Sequence, residues 1–479
     1  MKHLKAMPVR LAALLCLAAA LPPAPGLCAD AAASTAPAAG YNVIVVVVDC
    51  LRADHVSAYG YGRNTTPNLD ALAGEAVLFR QAVAQAPTTL LSFSSIYTSR
   101  YVSAHGVDAL NKALGESALT LAEILKIYNY RTASFAGGPN LSPLFKLDQG
   151  FDTYFHLNYT SSSFKTTLPA ALDWAKERSA KGEKFFIMAH GNDLHTPYVF
   201  PASGLFDKGF KVNRKINTLR AMEAQLFPVY KRKLLLKTTR ETITLTDDDV
   251  NHIVARYDEG IRYSDALIGE FIAGLRAAGL LDRTALIVTS DHGEGLFDHD
   301  YFFHDFNLYD NTLWVPLIIK APGVEKREVS RQVQLIDLMP TVLELAGIAP
   351  NSDAQGHSLL PLLSGKEEYA GPGYTFGESG VGSKALRSEK WKLIISPKKT
   401  ELYDLKADPG EKKNLAETEK TAAEELRAKL AEGLAAGEKD AYSEALPAGT
   451  LFRENMTKAD EAQRQFFRMT PNMDRGRPR

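Results

Sequence analysis

Asn42-Val-Ile-Val-Val-Val-Val-Asp49 decides the fold: six apolar, largely β-branched residues in a row, closed by an acid. A strand exposed on one face alternates apolar with polar, whereas an unbroken apolar run has both faces covered, as in the centre of a parallel sheet. The same pattern recurs in Lys184-Phe-Phe-Ile-Met-Ala-His190-Gly-Asn-Asp193 and in Thr284-Ala-Leu-Ile-Val-Thr-Ser-Asp291-His292-Gly293. Between these runs lie stretches with helical spacing, including Leu119 to Tyr128 and Ile253 to Leu275. Strands alternating with helices predict an α/β fold in three layers, α/β/α, with a large, mostly parallel central sheet. Ligands of such sheets bind beyond the carboxyl ends of the strands.

Working outward, residues 1–29 read as a signal peptide: Lys2, Lys5 and Arg10, an apolar run from Leu11 to Leu21, then prolines and an Ala-rich stretch. The run is shorter than the roughly 20 residues of a spanning helix, so an exported protein, periplasmic or secreted, with no stable membrane span is expected. Residues 30–40 form a linker, 41–365 the catalytic domain, 366–435 a small C-terminal α+β subdomain, and 436–479 a polar, poorly ordered tail. Removal of the signal with Cys16 and Cys28 leaves Cys50, which has no partner for an intramolecular disulfide. The 479 residues, 45% hydrophobic and 23% charged, have the balance of a globular protein. A formal net charge of −1 gives no global field for nucleic acid. The ten Lys and Arg against two acids in residues 206–240 read as a solvated helical face or as a rim that attracts an anion.

Chemistry is expected where acids and histidines end buried strands, at Asp49, Asp193, His195, Asp291 and His292. Carboxylates with imidazole suit one divalent metal ion, Mn2+ or Zn2+ in preference, with Ca2+ possible.

Further residues are informative in their order: Leu51-Arg-Ala-Asp54, Thr65-Thr-Pro-Asn-Leu-Asp70, His195-Thr-Pro-Tyr198, Arg256-Tyr-Asp258, Ser290-Asp-His-Gly-Glu294, Asp337-Leu-Met-Pro-Thr341 and Glu401-Leu-Tyr-Asp-Leu405. In this order the chain resembles a sulfatase, within the alkaline phosphatase superfamily, over roughly residues 41–435. The resemblance implies a metal held by Asp49, Asp291 and His292, and a nucleophile within a Cys/Ser-x-Pro/Ala-x-Arg motif that sulfatases convert to formylglycine. Counting back from Thr98-Ser99-Arg100 places Thr89 there, with Leu91 and Phe93 at the motif's proline and arginine positions. Threonine cannot become formylglycine, but a metal-bound hydroxyl at a helix start can attack phosphorus in line. Thr88 or Thr89 could also simply cap a helix running to Thr98.

The resemblance also implies that His195 and His304 face the substrate anion or leaving group, and that Asn111 and Arg52 bind substrate. Gly137-Gly-Pro-Asn140 replaces a lysine-histidine pair expected of sulfatases, Cys50 reads as a packed cysteine, and His299 as solvent-exposed. The expected function is metal-dependent hydrolysis of an anionic ester on a small molecule, glycan or lipid, with phosphate mono- or diesters favoured. Sulfate-ester hydrolysis, a phosphoethanolamine or glycerol-phosphate type transfer, and a non-catalytic binding role are the alternatives.

Overall fold

The computed structural model describes residues 40–447 apart from 158–162, 197, 199–200, 202–203, 213–231, 237–240, 306 and 436–441. The stretch read as a signal peptide, most of the expected linker, most of the basic segment and most of the polar tail lie outside the described residues.

Three strands anticipated from sequence form the middle of an eight-stranded sheet: Thr284–Ser290, Asn42–Val48 and Phe185–Gly191 lie side by side and parallel. The sheet continues through Arg131–Gly137 and Thr153–Leu157 on one side, and through Trp314–Lys320, Val77–Val83 and Arg327–Gln334 on the other. Among these strands only Trp314–Lys320 runs against the rest.

Successive side chains of a strand point to opposite faces, and here both faces are dry. Val43, Val45 and Val47 join one core, with Leu90, Phe93 and Ile96 of the helix Thr89–Thr98 and Leu343 of the helix Leu338–Leu345. Ile44, Val46 and Val48 join the other, with Leu168 of the helix Phe164–Ala180 and Tyr257 and Ile261 of the helix Asp247–Ala277. Two apolar layers over one sheet explain why the central strands read as continuous hydrophobic runs.

The last of these helices begins six residues before the apolar spacing does. Thr246 and Asp249 form a capping box, and Asp247, Asp248 and Asp249 complement the positive helix end.

The C-terminal subdomain is a four-stranded antiparallel sheet, ordered Tyr374–Glu378, Lys384–Ser388, Trp391–Ser396, Lys399–Asp404, under the helix Lys420–Ala435. Lys384–Ser388 has no strand signal in the sequence. Its Arg387 is buried where Asp310, far away in the chain, neutralises it and Gln81 and Gln332 accept its remaining hydrogen bonds. Within the tail expected to be poorly ordered, Ser443–Ala445 pairs with Lys112–Leu114 as a two-stranded ribbon.

Candidate active site

The carboxyl ends of the three central strands and the first turn of the helix Thr89–Thr98 meet at one point. Asp49, Asp291 and His292 are at most 1% exposed, and Thr89 is 4% exposed. The Nδ1–H of His292 donates to the Gly293 carbonyl at 2.9 Å, which leaves a lone pair on Nε2. Around that nitrogen stand Thr89 Oγ1 at 3.3 Å, Asp291 Oδ2 at 3.4 Å and Asp49 Oδ1 at 3.6 Å. Bonds of about 2.1 Å to a common tetrahedral centre would separate ligand atoms by roughly 3.4 Å.

The charges make the same point. Burial, then the neighbouring Asp291, pushes the Asp49 carboxyl well above the usual carboxylate range. Among the described residues no lysine or arginine pairs with either acid, and Asp291 Oδ2 has no hydrogen-bond partner. The nearby His304 cation is already shared with Glu294 and Asp305, which leaves two buried carboxylates short of positive charge, so the donor set fits a divalent cation.

Neither Thr88 nor Thr89 caps the helix through its side chain. Thr88 occupies the cap position, but its Oγ1 is buried and unbonded, while Thr89 is the first helical residue and its hydroxyl faces His292. Phe93 is fully buried, and Gly137, Gly138, Pro139 and Asn140 line a small cavity with Asp49, Thr89 and His195.

His304 sits above this cluster, its ring 4.5 Å from that of His292 and 5.1 Å from that of His195. Its Nδ1–H donates to Glu294 at 3.2 Å. Burial opposes the cationic form, but the Glu294 and Asp305 carboxylates outweigh it and carry the imidazole up to about 10. Phe303 and Asp305 on either side adopt left-handed backbone, with φ of 90° and 81°, a strain that aims His304 inward. His195 is half-buried, and its Nδ1–H donates to the Thr196 carbonyl at 2.6 Å. Burial, with the His304 cation beside it, draws His195 down to about 3, so it is neutral.

Other expectations need correction. The Arg52 guanidinium is engaged within the chain: it grips Asp54 at 2.6 Å and Asp298 at 2.7 Å and donates to the Glu294 carbonyl. It is a clamp on the segment that follows His292. Asn111 lies on an exposed turn, where its carbonyl accepts the Leu446 N–H, and it has no place in the cluster. Asp193 accepts the Phe164 N–H at 2.8 Å and a hydrogen bond from Ser163, so it anchors the start of the helix Phe164–Ala180. Cys50 is more than packing: its thiol donates to Asp49 Oδ1 at 3.1 Å and stands 3.7 Å from His304 Nδ1. His299 is half-buried against Tyr309, ring on ring at 3.7 Å.

Two residues of the cluster went unrecognised as site residues in the sequence. Glu294 was visible as part of Ser290-Asp-His-Gly-Glu294, and its place two after His292 could have marked it. His190 shares the alternation of Phe186 and Met188, a signal available from the strand itself.

The sulfatase family profile matches residues 41–348. The chain belongs to the sulfatase family. A second profile, for the C-terminal part of N-sulphoglucosamine sulphohydrolase, matches residues 297–440. Arylsulfatase K of Bos taurus is 28% identical over 272 residues, 51% of this chain and 50% of that one, so the match spans about half the length of this curated relative. Among solved structures, a 2-O GAG sulfatase superposes with a TM-score of 0.66 at 21% identity over 84% of this chain and 93% of that one. The phosphonate monoester hydrolase of Agrobacterium radiobacter gives 0.64 at 20% identity over 85% and 97%. These two likenesses carry the sulfatase-like α/β fold.

Proposed function

We propose that this chain is an exported, metal-dependent hydrolase that cleaves an anionic ester, with a phosphate mono- or diester as substrate and Thr89 as nucleophile. The observation that supports this most is Thr89 Oγ1 at 3.3 Å from His292 Nε2, buried beside two carboxylates that, among the described residues, no lysine or arginine pairs with. Asp49, Asp291, His292 and Thr89 would hold one divalent ion, Mn2+ or Zn2+ in preference to Ca2+. Such an ion lowers the pKa of a bound hydroxyl and offsets charge on the ester oxygens.

The remaining chemistry belongs to the chain. Thr89 places its oxygen at a helix N-terminus, where the positive helix end favours the alkoxide. That oxygen, its proton passed to water, bonds to phosphorus as the ester's alcohol oxygen departs, giving a Thr89 phosphoester, and water then breaks the new Thr89 oxygen–phosphorus bond to release phosphate from a monoester or the remaining phosphomonoester from a diester. His304, held cationic by Glu294, neutralises the ester oxygens or gives the departing alcohol its proton. His195, neutral and donating through Nδ1–H, leaves the lone pair of Nε2 to accept from a water or from a protonated ester oxygen.

A second reading, sulfate-ester hydrolysis on sulfated glycans or aryl sulfates, draws on the names of the relatives. It has to do without formylglycine, and without the motif arginine whose position Phe93 fills.

An assay of the purified protein separates them, using an aryl sulfate, a phosphate monoester and a bis-aryl phosphate, each with added Mn2+, Zn2+ or Ca2+. Phosphate-ester turnover that falls at least about 10^3-fold in Thr89→Ala is the expected result. Sulfate turnover that survives Thr89→Ala would sink the mechanism.

A further inference from the structure

Alternation along three neighbouring strands picks out a residue that the ligand set above omits. Val43, Val45 and Val47 face the core that also holds Phe186, Met188, Ala285 and Ile287. Counting on by two from each strand leads, on that same face, to Asp49, His190 and Asp291. The register sets His190 beside Val47, one step beneath Asp49.

His190 is completely buried, its ring edge-on to Phe93 at 5.3 Å, and its Nε2 lies 3.9 Å from Asp49 Oδ2. Asp49 turns its other oxygen to His292. The two imidazoles thus approach the two oxygens of one carboxylate. One ligand atom each from Asp49, His190 and Asp291 falls within 4.8 Å of the others. Neither nitrogen of His190 makes a hydrogen bond of normal geometry, and neither does Asp291 Oδ2. An unsatisfied buried polar group costs about 1–3 kcal/mol; one His190 nitrogen lies toward the Gly137 carbonyl, so it is the other, with Asp291 Oδ2, that calls for a common partner.

We propose that His190 is a further ligand of the metal centre, and that its nitrogen selects a transition-series ion over Ca2+. This rests on the metal-dependent reading above. Asp49, Asp291, His190, His292 and Thr89 together offer two imidazole nitrogens, two carboxylates and one hydroxyl. Ca2+ and Mg2+ take oxygen, whereas a second imidazole favours Zn2+, Mn2+ or Co2+. The competing occupant of the same space is an ordered water that satisfies His190 and Asp291.

The test measures ion binding directly. Wild type, His190→Ala, His190→Gln and His292→Ala are equilibrated with Zn2+, Mn2+ and Ca2+, singly and in competition, and the bound metal is counted. The absorption spectrum of the Co2+-loaded protein reports the donor set independently of turnover. Circular dichroism and melting of the metal-free proteins show that each variant folds.

Wild type is expected to hold Zn2+ or Mn2+ against excess Ca2+. Both His190 variants should bind Zn2+ about 10–100-fold more weakly, lose part of the preference over Ca2+, and shift the Co2+ bands. Unchanged Zn2+ affinity and an unchanged Co2+ spectrum in both His190 variants would overturn the proposal. If His292→Ala still weakens binding in that case, the metal reading stands without His190. A wild type that takes up none of the ions overturns both.

Discussion

Two buried polar clusters in this molecule are built on opposite terms. At the foot of the segment that carries His304, Asp310 bonds to Lys392 at 2.7 Å and to Arg387 at 2.8 and 2.9 Å, while Lys392 also pairs with Glu411 at 3.0 Å. Two acids meet two bases there, and the cluster ties the C-terminal antiparallel sheet to the large one. Burial alone would raise Asp310, but Arg387 and Lys392 outweigh it and hold the carboxyl below its usual range. At the strand ends, Asp49 and Asp291 have no such partners, and the Asp49 carboxyl is driven the other way. A cluster complete within the chain serves cohesion; one left incomplete is shaped for something that arrives from outside.

Chelation breaks the comparison hardest. Stripping divalent ions should lower ester turnover by on the order of 10^4-fold, with recovery on adding back Zn2+ or Mn2+, as measured by steady-state assay. The melting temperature should fall with it, since an ion at 100 times its Kd contributes about 2.7 kcal/mol.

Asp310→Ala probes the other cluster. It leaves Arg387 buried without its acid and Lys392 with Glu411 alone, and should cost about 3–5 kcal/mol in denaturant unfolding of the metal-free protein. Metal uptake by the folded variant should stay at the wild-type level; a loss of metal would mean that the two clusters are coupled.

The smallest effect is in pH. The folded-state value of Asp310 lies below its unfolded one, so its contribution is complete above about pH 4 and is lost as pH falls through the folded value. The stability gap between wild type and Asp310→Asn should therefore narrow from pH 5 to pH 2. Asp49, raised in the metal-free protein, works in the opposite sense: its contribution is full below about pH 4 and is lost as pH rises. Urea unfolding of metal-free Asp49→Asn against wild type should show a difference that grows toward neutral pH, in favour of the variant.

The sequence made the central strands legible because both of their faces are dry, which turns alternation into a continuous apolar run. Asp49, Asp291 and His292 were legible for the same reason, as polar residues that end such runs. Other features depend on partners that spacing does not reveal. Arg52 reads as a candidate anion binder until Asp298, 246 positions further on, is found across it. Arg387 is buried against Asp310, 77 positions away, a partner that no local pattern in Lys384–Ser388 announces. His190 was hidden differently: it stands one residue short of the strand's end, where alternation rather than position marks it.

The reversed strand Trp314–Lys320 has a consequence for how this protein could diversify. Because it runs against its neighbours, residues 291–313 leave the rim of the sheet after Ser290 and come back to that rim at Trp314. The excursion carries Glu294, Asp298 and His304, and the Arg52 clamp and the Asp310 cluster pin it between its ends. Residues 299–303, between Asp298 and His304, could be exchanged while the strands beneath keep their register. A change of substrate preference could thus come from that stretch alone, with Asp291, His292 and Thr89 left in place.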